Sequence, residues 1–147
     1  MLAFDLFCHF RASSIMSLQD LKSLTDLTAA EINDLRVRCF KDCEVVNGHL
    51  YYKGRDGPSY SQITFTLRAK TYHMRKAQLS LYLKLKEANF TMTAWSADMS
   101  TSHLCHRKSC LKADHLVLES YELNRERDGC KRNGQCYGHN DSPPCMI

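Results

Sequence analysis

Ser102-His103-Leu104-Cys105-His106-Arg107-Lys108-Ser109-Cys110-Leu111-Lys112-Ala113-Asp114-His115 is the run on which the reading of this chain turns. Cys105, Cys110 and His115 have four residues between successive members, so a single loop can bring two thiolates and one imidazole onto one ion. That group is one ligand short of a tetrahedron. Downstream, Cys130, Cys136, His139 and Cys145 supply three thiolates and one imidazole, enough to close a structural site without help. His106 is a rival to His115 as a ligand, but its adjacency to Cys105 turns its side chain elsewhere and suits a surface or DNA-contact role. Glu119 and Glu122 could also ligate a metal, although helix-surface or packing roles account for them.

The chain has 8 cysteines and 7 histidines in 147 residues. Four disulfides in a secreted protein would also consume 8 cysteines, but a disulfide scaffold has no need of the histidines that accompany the last five. Thiolate and imidazole together suit tetrahedral zinc in a reducing compartment, hence an intracellular protein. The apolar opening Met1 to Phe10 has no basic leader, contains Asp5 and is followed by no small-residue cleavage site, so it does not read as a signal peptide. No stretch approaches the ~18 consecutive apolar residues of a membrane helix, and a membrane partner is not expected.

Charge is unevenly spread. The net charge is +4, yet Arg38 to Lys86 alone carries 10 basic and 3 acidic residues. A surface that neutralises phosphates shows this pattern, and double-stranded DNA is the partner it suggests. Phosphate-cradling loops of the form G-x-x-x-x-G-K-S/T and G-x-G-x-x-G are absent, which removes the common nucleotide-binding folds.

The length suits one domain, read as residues 1–147 in three parts: a helical part over 1–40, a basic hairpin with a helix over 41–102, and a zinc-binding part over 103–147. Ser17 to Phe40 reads as two short helices, with Leu18, Leu21, Leu24 and Leu27 at helical spacing and Thr28 with Glu31 as a capping box. Glu44 to Lys53 and Tyr60 to Lys70 read as the two strands of one hairpin, turned at Gly54-Arg55-Asp56-Gly57-Pro58. In the second strand Ile63, Phe65 and Leu67 share one face, and Gln62, Thr64, Thr66 and Arg68 share the other, which is free to touch a ligand. A two-stranded ribbon fits the DNA major groove. Thr71 to Asn89 reads as a helix behind the hairpin, and Phe90 to Thr101 as a connection or short strand. The fold class is α+β.

From His103 through Cys145, and more weakly back to Cys43, the chain resembles the His-Cys box homing endonucleases, whose catalytic unit is the zinc-stabilised ββα-metal or His-Me finger nuclease site. The resemblance rests on Ser-His-Leu-Cys-His at 102–106, Cys110, His115-Leu116, Glu119-Ser120, Asn124 nine residues after His115, and the closing Cys, Cys, His, Cys group. It implies a DNA endonuclease leaving 3′-hydroxyl and 5′-phosphate ends, with His103 as general base and Asn124 holding one Mg²⁺ through its side-chain carbonyl. It implies two structural Zn²⁺, one on Cys105, Cys110, His115 and an upstream cysteine, the other on Cys130, Cys136, His139 and Cys145. Cys43 is favoured over Cys39 for the upstream ligand, which leaves Cys8 and Cys39 as core residues. Asn124 is expected on a helix starting near His115.

The family also places an arginine against the phosphate, for which Arg68 and Arg75 are the candidates. Arg55 and Gln62 are the first choices for reading bases. The family's homodimer uses an extended C-terminal tail, whereas two residues follow Cys145 here, so a nicking monomer is the alternative to a dimer. DNA as substrate points to the nucleus. The rival from another class is a non-catalytic zinc module that binds nucleic acid or protein, in which His103 and Asn124 are incidental.

Overall fold

Asn47-Gly48 and Arg68-Ala69 set the strand arrangement. In the computed structural model all four have positive φ, at 51, 77, 48 and 64°, which lets two-residue turns match the twist of the strands they join. The residues described are 24, 26–53, 61–89 and 98–147. Each turn closes its own antiparallel hairpin. The first pairs β1 (Cys43–Val46) with β2 (His49–Tyr52), and the second pairs β3 (Gln62–Leu67) with β4 (Lys70–Arg75). The expected single hairpin turned at 54–58 is therefore corrected to two: the Asn-Gly signal lay inside what was read as one strand. Arg55 and the turn around it lie outside the described residues.

The first described helix, α1 (Ala29–Phe40), begins where the capping box predicts. Glu31 N–H donates to Thr28 Oγ1, and the Glu31 carboxylate accepts from the Thr28 N–H at 2.8 Å. The earlier of the two expected helices falls largely outside the described residues. Helix α2 (Lys76–Glu87) starts five residues later than expected, because 71–75 continue as β4. The alternation of Tyr72 and Met74 inward with Thr71 and His73 outward is a strand pattern that the later leucines had masked.

The third hairpin joins β5 (Met99–His103) to β6 (Leu116–Ser120), with Met99 opposite Ser120 and His103 opposite Leu116. Between the strands runs the 102–115 loop, ending in a short 3₁₀ turn at Ala113–His115. Helix α3 (Tyr121–Asn133) follows, capped by Ser120, whose Oγ accepts from Leu123 N–H, and ended by Gly134 at φ 65°. Asn124 is thus on a helix that starts at Tyr121, not near His115: Leu116, Val117 and Leu118 favour a strand first.

The core centres on α2. Leu79, Leu81, Tyr82 and Leu83 pack with Leu35 and Cys39 of α1, with Ile63, Phe65, Tyr72 and Met74 from the inner face of β3 and β4, and with Leu111 and Leu116 from the last hairpin. Phe65 and Tyr72 stack at 5.3 Å. Ser80 Oγ donates to the Leu111 carbonyl at 2.7 Å, and Leu111 N–H donates to the Leu50 carbonyl at 2.7 Å, so the loop is tied to both α2 and β2. Among the described residues no helix is long and apolar enough to cross a membrane.

Candidate metal centres and the strand beside them

The 102–115 loop, pinned at Leu111, folds Cys105, Cys110 and His115 together, and β2 brings His49 against them. Their ligand atoms all lie within 4.8 Å of one another. Cys110 Sγ is 3.5 Å from His115 Nδ1, and the rings of His49 and His115 meet edge to face at 5.0 Å. Zn–S bonds of about 2.3 Å and Zn–N bonds of about 2.0–2.1 Å put sulfur and nitrogen about 3.5 Å apart along a tetrahedral edge, so the donor set fits the ion. Cys105 donates to the sulfur of Cys110, which holds Cys110 down at about 4 and pushes Cys105 well above the usual thiol range.

His49 replaces Cys43 as the fourth candidate ligand. Cys43 pairs with Tyr52 at one end of the first hairpin, His49 with Val46 at the other, and alternation puts them on opposite faces of the ribbon. The Cys43 thiol instead lies near the carbonyls of Cys39 and Lys41, and burial raises its pKa. Cys39 is a core residue, fully buried, with its thiol donating to the Lys76 carbonyl and pushed up to about 12 by burial. Cys8 lies outside the described residues. His49 was legible in principle: it follows Asn47-Gly48 at the start of a strand, but the nearest cysteine, Cys43, drew the reading away from it.

The second cluster gathers the four residues read from spacing, Cys130 at the end of α3 and Cys136, His139 and Cys145 from the segment after it. His139 Nε2 is 3.5 Å from Cys130 Sγ and 3.3 Å from Cys145 Sγ. The Cys145 N–H donates to Cys136 Sγ at 3.3 Å and, with the Gly138 N–H, holds Cys136 down at about 6, while burial pushes Cys145 up to about 11. His139 Nδ1 is buried 3.5 Å from a Glu126 oxygen, with no hydrogen bond between them. All seven described cysteines are free thiols. The two clusters are linked by the Met146 N–H, which donates to the Leu104 carbonyl at 2.8 Å.

His103 ends β5, two residues before Cys105. Its Nε2 is 3.1 Å from the Cys110 carbonyl oxygen, and burial holds its pKa below the ordinary value, with Lys108 and Arg75 adding to the lowering against the pull of Cys110. Asn124 reaches the same strand, its Nδ2 donating to Ser100 Oγ at 3.2 Å. Gln62 and Arg75 are cross-strand partners on the exposed face of β3 and β4, together with Thr64, Thr66, Thr71 and His73. Arg68 is not on that face. It sits in the turn, where its guanidinium binds Glu31 at 2.8 Å and the Asp26 carbonyl at 2.7 Å. His106 is half-buried with Nε2 enclosed and unbonded, rather than on an open surface. Glu119 is not at a metal cluster: it lies buried beneath α3, paired with Arg127.

The family described as the zinc-binding loop region of homing endonuclease matches residues 27–145. The chain belongs to this family. Membership supports a nuclease-type function in general terms, with DNA as the class of partner, and the two His/Cys clusters are the zinc-binding feature of the homing-endonuclease family in this chain. The match extends back through α1, beyond the 103–145 stretch on which the resemblance was strongest. No curated protein and no solved structure gives a match.

Proposed function

We propose that the chain is a Mg²⁺-dependent DNA endonuclease in which His103 is the general base and Asn124 holds the divalent ion. The observation that carries this reading is the shared anchorage of the two side chains on β5, one borne by the strand and the other bonded to Ser100. With its Nε2–H donated to the Cys110 carbonyl, a neutral His103 keeps its lone pair on Nδ1, and the lowered pKa favours that neutral form. Nδ1 takes a proton from water, the resulting hydroxide bonds to phosphorus, and the P–O3′ bond breaks, O3′ taking a proton from a neighbouring water while His103 returns its own to solvent. The products carry 3′-hydroxyl and 5′-phosphate ends.

Asn124 spends its amide nitrogen on Ser100, so its carbonyl oxygen is the atom left to face a hard cation. A Mg²⁺ ion held there would neutralise charge developing on the leaving oxygen. Arg75, whose charge is felt at His103, is the arginine proposed to bind the phosphate, with Gln62 beside it on the face offered to the major groove. Both Zn²⁺ ions are structural in this scheme, and the nucleus is the proposed location.

Plasmid cleavage in Mg²⁺ tests the proposal. The parent should nick or linearise the plasmid, and His103→Ala and Asn124→Ala should each slow it by about 10²–10⁴-fold while keeping their zinc. Cleavage by both variants at the parental rate would overturn the assignment of these two residues, and a parent that leaves the plasmid intact in Mg²⁺ would favour a zinc module without catalysis. Nicks alone against double-strand breaks separate a monomer from a dimer.

A further inference from the structure

Arg127 and Glu119 form a buried ion pair, each side chain 2% exposed, in which two guanidinium nitrogens bind the two carboxylate oxygens at 2.7 Å. Burial pushes the Glu119 carboxyl up, but Arg127, Ser102 and Ser142 together outweigh it and hold the group below its usual range. The remaining contacts of Arg127 all go to the C-terminal loop: it donates to Cys145 Sγ at 3.5 Å and to Ser142 Oγ at 2.9 Å, and Ser142 Oγ donates to Glu119 at 2.9 Å. A buried pair of this kind contributes little net stability against an apolar replacement of the same volume, so its value here lies in what it contacts.

The two clusters differ in charge. With Zn²⁺ bound, two thiolates make the His49, Cys105, Cys110, His115 group neutral, whereas three thiolates leave the Cys130, Cys136, His139, Cys145 group with one net negative charge. Arg127 donates a guanidinium N–H to one of those sulfurs at 3.5 Å, while Glu119 balances its charge.

We propose that Arg127, oriented by Glu119 and Ser142, is a positioning residue for the second zinc: its bonds to the Cys145 sulfur and to Ser142 fix the 136–145 loop, and the ligand it carries, to β6 and α3. The first cluster has no such partner among the described contacts. Groups that bond a metal ligand from outside typically change metal affinity 10- to 100-fold when removed. This proposal is independent of the nuclease reading, because it concerns metal retention alone.

The test is zinc release from the full-length zinc-loaded protein to a chromogenic chelator, with cobalt substitution to distinguish the three-thiolate from the two-thiolate site by its charge-transfer band. In Glu119→Leu/Arg127→Met both charges are replaced together, so no buried charge is stranded. Arg127→Lys keeps the ion pair but cannot also span to Cys145 and Ser142. Both variants should release one of two zincs at least 10-fold faster than the parent, from the three-thiolate site, with the other zinc unchanged. Parental release of both zincs by either folded variant would overturn the proposal. Equal acceleration at both sites, or failure of both variants to fold, would do the same, since the pair would then be a general packing element.

Discussion

Nε2 of His103 lies 3.1 Å from the carbonyl oxygen of Cys110, so the imidazole is aimed by the residue whose sulfur enters the first metal cluster. The first metal cluster and His103, the proposed base, are therefore coupled without His103 being a ligand. Stripping zinc should abolish cleavage even in saturating Mg²⁺, and adding zinc back should restore it. Because a structural zinc site of this type contributes on the order of 10 kcal/mol to folding, the same treatment should also cost much of the near-UV circular dichroism. A zinc-free protein that keeps its rate in Mg²⁺ would contradict this coupling.

His49→Ala should lower bound zinc from two to about one per chain, measured by atomic emission after dialysis. Cys43→Ala should leave it at two, since Cys43 sits on the other face of the first hairpin. The reverse result would restore the cysteine as ligand.

Arg68 and Arg75 should separate cleanly. Arg68→Ala breaks the contacts to Glu31 and the Asp26 carbonyl, so it should lower the melting temperature while leaving cleavage near the parental rate. Arg75→Ala should instead slow cleavage by at least 10-fold, and the salt dependence of DNA affinity should fall by about one phosphate contact. Equal loss of activity in both would mean the turn also meets the DNA.

Leu79→Ala should destabilise the fold by about 2–5 kcal/mol in denaturant titration, since Leu79 is fully buried where α2 meets α1, the second hairpin and the metal loop. A loss below about 1 kcal/mol would mean that the core is not centred on this helix.

Much of the site could be read from sequence because metal ligation leaves a local record. Cys130, Cys136, His139 and Cys145 lie within one short stretch, and the structure gathers them into one cluster. The capping box at Thr28 and Glu31 was equally local. What escaped was non-local or ambiguous in period. His49 joins a cluster more than fifty residues away, brought there by the bonds from Leu111 to Leu50 and from Lys112 to Gly48. Residues 71–75 alternate like a strand but lead directly into a leucine-rich helix, so the boundary was blurred. Arg68 was placed by counting along a strand that in fact ends at Leu67, and the turn sends its side chain to α1.

Among the described residues the three hairpins do not merge into a common sheet. The second one is joined to the rest chiefly through the inward side chains Ile63, Phe65, Tyr72 and Met74. Its outward residues, Gln62, Thr64, Thr66, Thr71 and His73, share no ladder with β5 or with either cluster. Side chains can accordingly be exchanged along that outward row, Thr64 with His73 and Thr66 with Thr71 as bonded pairs, without disturbing the packed face beneath it.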